Sequence, residues 1–483
     1  MKTTTRSFII LAIALAAGAC HDFFDVPQTN QPTLDDLINN PTRDKLAAAA
    51  NGIFAGASGD IQSLIWRAGS MGREGINLSG NNTPDYSEPY FGPLSGSGFG
   101  AAIWGGRYAN IRSINIYLQA LAKTKELSAG EIEASRGMAQ TFKALALLYV
   151  IETRGQLGAP VDVDRPVTAP PAPFVSEDSV YGYIIGILDS AQTNLSDAHT
   201  AVASFPFSIP VGLASFGDPQ SFIQFNRALA AKAEVFRATA QNGCNGTPAN
   251  CWNKAETALA ASFYAPGDST QFKAGAYFDF STDPGDATND LSDPLNGTTF
   301  YALPDFLVDA DTQVGGLARD LRAVSKIVPA QDTQILGGVP INGQLKFTVY
   351  FTNGAVDLNH SIPIIRDEEL VLLDAEARIG LNDLAGANAA LNLVRQGSGN
   401  LHPDTLTGGS PKAEYVAELL YNRRYSLMWE QGTRWIDARR YGLLANVPTD
   451  IPNGNVPPGA VPPVMPIPDA ECNARGLGSG CAP

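Results

Sequence analysis

Between Arg67 and Gly106 the chain carries side chains of the kinds that grip neutral, hydroxyl-rich molecules: Arg73, Asn77, Asn81, Asn82, Tyr86, Tyr90 and Phe91. Guanidinium and carboxamide groups donate hydrogen bonds in fixed geometry, and aromatic faces offer a stacking surface. The competing reading of each aromatic is that it packs the segment onto its own scaffold. Catalysis asks for more. No HExxH, GxSxG, P-loop or dinucleotide fingerprint occurs, and the histidines His21, His199, His360 and His402 fall in tethers or loops. A glycosidase carboxylate pair has no spacing rule that would reveal it among 48 acidic residues. The chain therefore reads as a non-enzyme with no cofactor and no metal centre.

Cysteine offers two further chemistries. Lys2 and Arg6, the apolar run Phe8 to Ala17, and Ala17-Gly18-Ala19 before Cys20 have the layout of a bacterial lipobox, in which the Cys20 thiol is the atom that takes the lipid. A plain secretory signal cut after Ala19 is the alternative; the apolar run is too short to span a membrane. Residues 1–19 are thus a signal peptide, and lipid on Cys20 anchors the remainder without a crossing helix. Cys244 and Cys251 bracket a Gly/Asn/Pro turn and Cys472 and Cys481 a Gly-rich tail, so local pairing closes two short loops in an oxidising compartment. Zinc is the rival idea, without CxxC spacing to support it. A net charge of −15 with no basic cluster argues against nucleic acid.

These groups need a frame. Thr33 to Phe54 reads as a helix capped by Thr33 or Thr42, and Arg107 to Leu121 as another; the stretch between them from Arg67 is too irregular for a helix. Helical pairs then recur: 134–151 with 180–195, 222–240 with 252–261, and 367–379 with 385–395. Alanines at close-contact positions give them a tetratricopeptide look without a regular period. Ser262 to Pro363 interrupts the array, with a strand over 345–351 after the turn Asn342-Gly343. The fold class is mainly α: tetratricopeptide-like helical pairs, long irregular loop insertions and a few short β-hairpins.

Ala413 to Gly442 (AEYVAELLYNRRYSLMWEQGTRWIDARRYG) closes the array. Arg423 lies in an otherwise apolar stripe with Val416, Leu420 and Leu427, which requires a paired charge; Glu418 and Glu430 are the nearby carboxylates. Gly432 offers a left-handed stop, and Thr433 caps a second helix bearing Trp435 and Asp437. Arg423, Glu430, Trp435 and Asp437 are read as structural.

The run Asn422 to Gly442 resembles the C-terminal signature of the SusD/RagB family of outer-membrane nutrient-binding lipoproteins. The acidic and aromatic tether after Cys20 (HDFFDVP), the helix with a Gly/Pro exit over 140–160, Ile362 to Ala377 and Met465-Pro-Ile-Pro468 are similar to further family segments in the same order. The resemblance implies one SusD-like domain over 20–483, with an N-terminal part to about 220 and a C-terminal part from about 221. It also implies a lipid-anchored, cell-surface protein that captures an oligosaccharide or other small nutrient and passes it to a SusC-like TonB-dependent barrel. The repeats would face the barrel, and the loops over 67–106 and 262–363 the ligand. A tetratricopeptide interaction scaffold and a surface hydrolase are the alternatives.

Overall fold

Alanine decides how closely the repeats pack. In the run 228–233, Ala228, Ala230, Ala231 and Ala233 are all buried, and a side chain ending at Cβ lets a neighbouring helix approach with little rotamer entropy lost. The computed structural model describes residues 34–79, 84–166, 168–316, 318–335, 342–431, 433–448 and 461–481; Cys20 and its leader lie outside them.

Helices α1 (Leu34–Asn39), α2 (Arg43–Ser58), α3 (Ile61–Met71), α4 (Pro84–Phe91) and α5 (Gly105–Leu121) lead into the array. Its three pairs are α6 (Ala129–Arg154) with α7 (Glu177–His199), α8 (Pro219–Ala238) with α9 (Pro248–Ala260), and α10 (Asp367–Leu381) with α11 (Leu384–Gly397). Each helix packs on the next through the series, and α12 (Lys412–Ser426) closes against α10 and α11. The pairs are those the alanine pattern indicates, lengthened by their caps. Ser128 and Glu131 form a capping box, Ser176 accepts from the Ser179 amide, and Asp218 caps a helix that opens on Pro219. At the other end, Asn382 terminates α10 at φ 65°.

Two local expectations fail. Thr33 to Phe54 is two helices, because Pro41 disfavours a helical Asn40 and Thr42 starts α2 by accepting from the Lys45 amide. The stretch from Arg67 to Gly106 holds the end of α3, strand β1 (Gly75–Asn77) and α4, where no helix was expected. Pro84 starts α4, and Tyr86 and Tyr90 share its inner face.

Strands are short. The largest sheet is antiparallel, ordered β1, Phe300–Ala302, Asn342–Phe347, Ile327–Ile335. Ile335 pairs with Asn342, so Asn342-Gly343 opens the strand instead of turning before it, and the connection 336–341 lies outside the described residues. Strand Gly275–Phe278 pairs with Ile362–Arg366, which runs directly into α10.

The C-terminal block clamps the array. Arg423 is 1% exposed, yet neither expected carboxylate holds it. Glu418 accepts from Arg395 and Asn422 (3.0 and 2.7 Å), and Glu430 from Arg366 (3.0 Å). Arg423 Nε instead donates to Asp437 Oδ2 at 2.7 Å, and its Nη1 lies 3.9 Å from Glu376. Chain reversal explains the exchange. Trp429 (φ 57°) and Gln431 (φ 61°) turn left-handed between the helices, laying α13 (Thr433–Arg440) beside Arg423; Gly432 itself is outside the described residues. Arg440 bonds both Asp437 and Glu376, so two guanidinium groups face two carboxylates. Trp435 is fully enclosed, and its Nε1 donates to the Pro462 carbonyl at 2.8 Å. Disulfides join Cys244 to Cys251 and Cys472 to Cys481, with Cα separations of 6.0 and 5.7 Å.

Candidate functional site

Of the loop residues that could hold a ligand, those described turn inward. Arg73 donates through Nη1 to the carbonyls of Ser70 (2.9 Å) and Pro89 (3.0 Å), and its guanidinium lies 4.2 Å from the centre of the Tyr90 ring. Tyr90 donates its hydroxyl to the Gly75 carbonyl at 2.7 Å. Asn77 donates to Asp85 and accepts from the Ser79 amide. Tyr86 and Tyr90 are buried with Ile76, Leu78 and Tyr301 beneath α4. These contacts fix the segment's shape and leave Arg73, Asn77, Tyr86 and Tyr90 no exposed face to serve as a stacking platform. The four-residue spacing of the two tyrosines sends both to the same buried side of α4. Asn81 and Asn82 lie outside the described residues, as does the Phe91 side chain.

A cleft of about 360 Å³ opens instead where α2 and α3 meet the 262–363 insertion. The alternation of Tyr277-Phe278-Asp279-Phe280 builds it: Phe278 and Phe280 are buried in its floor with Phe54, while Tyr277 is half-exposed and Asp279 exposed. Its polar groups are locked in place. Asp279 accepts from the Gly212 amide at 2.6 Å, fixing the strand to the turn Val211–Phe216. Gln62 donates to the Thr288 carbonyl (2.8 Å) and accepts from the Asp290 amide (2.7 Å), holding the 281–290 loop on α3. Burial raises the phenol of Tyr277, whose hydroxyl donates to the Lys273 carbonyl at 2.5 Å. An aromatic floor with an ordered carboxylate and carboxamide rim has the makeup of a site for a small ligand, and its volume lies in the usual range for one. Sequence reasoning reached the insertion but missed Gln62, Tyr277, Asp279 and Phe280. The strand-like alternation over 277–280 was the available signal.

Fold and cleft together define an α-helical repeat protein with a loop-built flank. Residues 342–474 match the model of the SusD family, and the chain shares its fold with SusD superfamily structures over about nine-tenths of its length. A SusD-like carbohydrate-binding protein from Bacteroides fragilis superposes with a TM-score of 0.68 at 15% identity, covering 91% of this chain and 99% of that one. A SusD superfamily protein from Bacteroides vulgatus gives 0.66 at 14%, covering 90% and 98%. A laminarin-binding SusD-like protein gives 0.60 at 15%, covering 91% and 99%. No curated protein matches the chain at a significant level.

Proposed function

We propose that this protein captures an oligosaccharide at the outer membrane and hands it to a TonB-dependent barrel without chemically altering it. The observation that carries the reading is the SusD fold over nine-tenths of the chain, shared with proteins described as carbohydrate-binding and laminarin-binding. Lipid on Cys20 is the anchor in this proposal, and no helix among the described residues is long and apolar enough to cross a membrane. Ligand rests on Tyr277 and the rim of Gln62 and Asp279, with Asn82 and Phe91 as further contacts from the first loop. Arg73, Asn77, Tyr86 and Tyr90 hold that loop's shape.

A glycan-array screen of the mature chain, followed by calorimetry on its best neutral ligand, tests the proposal. Losing one stacked ring costs about 1.5 kcal/mol, so Tyr277→Ala should weaken binding about tenfold with the fold intact. Unaltered affinity in that variant removes the cleft from the site. Cleavage of the glycan by purified protein would overturn the receptor reading in favour of the hydrolase.

A further inference from the structure

The side chains that line the cleft between α2, α3 and the 262–363 insertion carry charge of one sign only. Asp279 and Asp286 stand on its rim, both exposed, and among the described residues no lysine, arginine or histidine lines it. Asp279 accepts only from neutral donors, the Gly212 amide at 2.6 Å on Oδ2 and the Ser361 hydroxyl at 3.3 Å on Oδ1. The stretch that builds this rim is as one-sided as the rim itself: residues 274–318 hold eight aspartates and no lysine, arginine or histidine.

The backbone adds to the same sign. Helix α2 runs for 16 residues, has no basic residue in its last turn, and ends on the cleft wall through Ala55, Ser58 and Gly59. A helix C-terminus carries roughly half a negative charge on its free carbonyls. Arg107 reaches the Ala57 carbonyl at 2.6 Å, but it is 1% exposed and ion-paired with Asp60. His360 adjoins Ser361 without lining the cleft, its Nδ1 2.9 Å from the Ser361 carbonyl.

Taking the cleft as the carbohydrate site, on which this reading rests, we propose that it sorts glycans by charge. It takes neutral and amine-bearing chains and turns away those carrying carboxylate or sulfate, with Asp279 and Asp286 as the specificity-determining residues. An anionic sugar over the aromatic floor meets fixed charge of its own sign and finds no guanidinium or ammonium to pair with, which is how like charges suppress wrong partners. Each exposed charge pair shifts affinity by up to about fivefold. The two aspartates together should therefore weaken a carboxylate-bearing glycan about tenfold relative to its neutral parent.

An array printed with neutral glucan, galactan and mannan oligosaccharides, each beside its C6-carboxylate and its 6-amino-6-deoxy form, tests this on the mature chain. For every sugar chain that binds, the order should be amine, neutral, carboxylate, the last about tenfold below the neutral form. Asp286→Asn alters one exposed side chain and should narrow that gap to about threefold. Raising salt from about 0.01 to about 1 M shortens the screening length from about 30 to about 3 Å and should close most of it. Tyr277→Ala should weaken all three forms alike. No binding on the array, or binding that ignores Tyr277, removes the carbohydrate site itself. Where Tyr277 matters, a carboxylate form that binds as tightly as its neutral parent, or a gap that survives both Asp286→Asn and high salt, overturns the charge filter alone.

Discussion

Removing Arg423 should damage stability first and ligand binding only as a consequence. The side chain sits in a sealed group of four charges, with Arg440 as the other cation and Glu376 and Asp437 as the anions. Arg423→Ala leaves one guanidinium to neutralise two enclosed carboxylates. Breaking a buried pair from one side costs about 3 to 5 kcal/mol, most of it the penalty on the charge left behind. An unfolding entropy of about 2.1 cal/mol/K per residue, taken over 483 residues, is about 1 kcal/mol/K, which converts that cost into a fall in Tm of about 3 to 5 °C. The Arg440 contacts persist, so the variant should still fold at low temperature. Circular dichroism melts give the stability, and calorimetry well below the transition gives the ligand affinity of the folded fraction. A variant that melts like the parent but no longer binds would refute the structural role.

Three further perturbations have defined outcomes, two read from the geometry and one from the sequence around Cys20. Glu74 is fully enclosed, bonded through Oε2 to the Trp429 amide, and burial pushes its carboxyl up to about 7 from an ordinary 4.5. A raised carboxylate favours the folded state while protonated, so stability drains away as pH rises from about 4.5 to 7. Glu74→Gln keeps the acceptor and should raise stability at pH 8 by about 3 kcal/mol, with little change at pH 4; equal effects at both would refute this. Opening the Cys472–Cys481 bridge, which closes a separation of 9 residues, should cost about 2.6 kcal/mol by the chain-entropy rule, read as a lower denaturation midpoint of the Cys472→Ser/Cys481→Ser variant. Cys20→Ala should move the protein out of the membrane fraction and abolish incorporation of labelled fatty acid; retention of label would place the lipid elsewhere.

The repeat array was legible because its signals are local and redundant. Alanines at contact positions, Ser and Asp caps, and Pro219 at a helix start all agree on the same helices. The partner of Arg423 was not legible. A helix-spacing argument sees Glu418 and Glu430, whereas the actual partners sit across a reversal at Trp429 and Gln431 and in a helix about fifty residues upstream. Left-handed non-glycine residues announce themselves weakly in a sequence. Tyr86 and Tyr90 failed in the opposite direction: their four-residue spacing was legible as one helical face, but the surrounding Gly, Asn and Ser suggested a loop. What decided the matter was tertiary. Gly75 offers its carbonyl to the Tyr90 hydroxyl, and Arg73 roofs the ring.

In the cleft, every polar group named already has a partner in the protein: Asp279 in the Gly212 amide, Gln62 in the 288–290 backbone, Tyr277 in the Lys273 carbonyl. Such a surface is preorganised and can accept a neutral ligand through apolar contact and spare lone pairs without surrendering bonds of its own. Neutral glycan binding at the cleft should therefore be flat in pH and salt. An isotherm that shifted with either would show that a charged group of the rim, Asp279 foremost, exchanges its bond within the protein for one to the ligand.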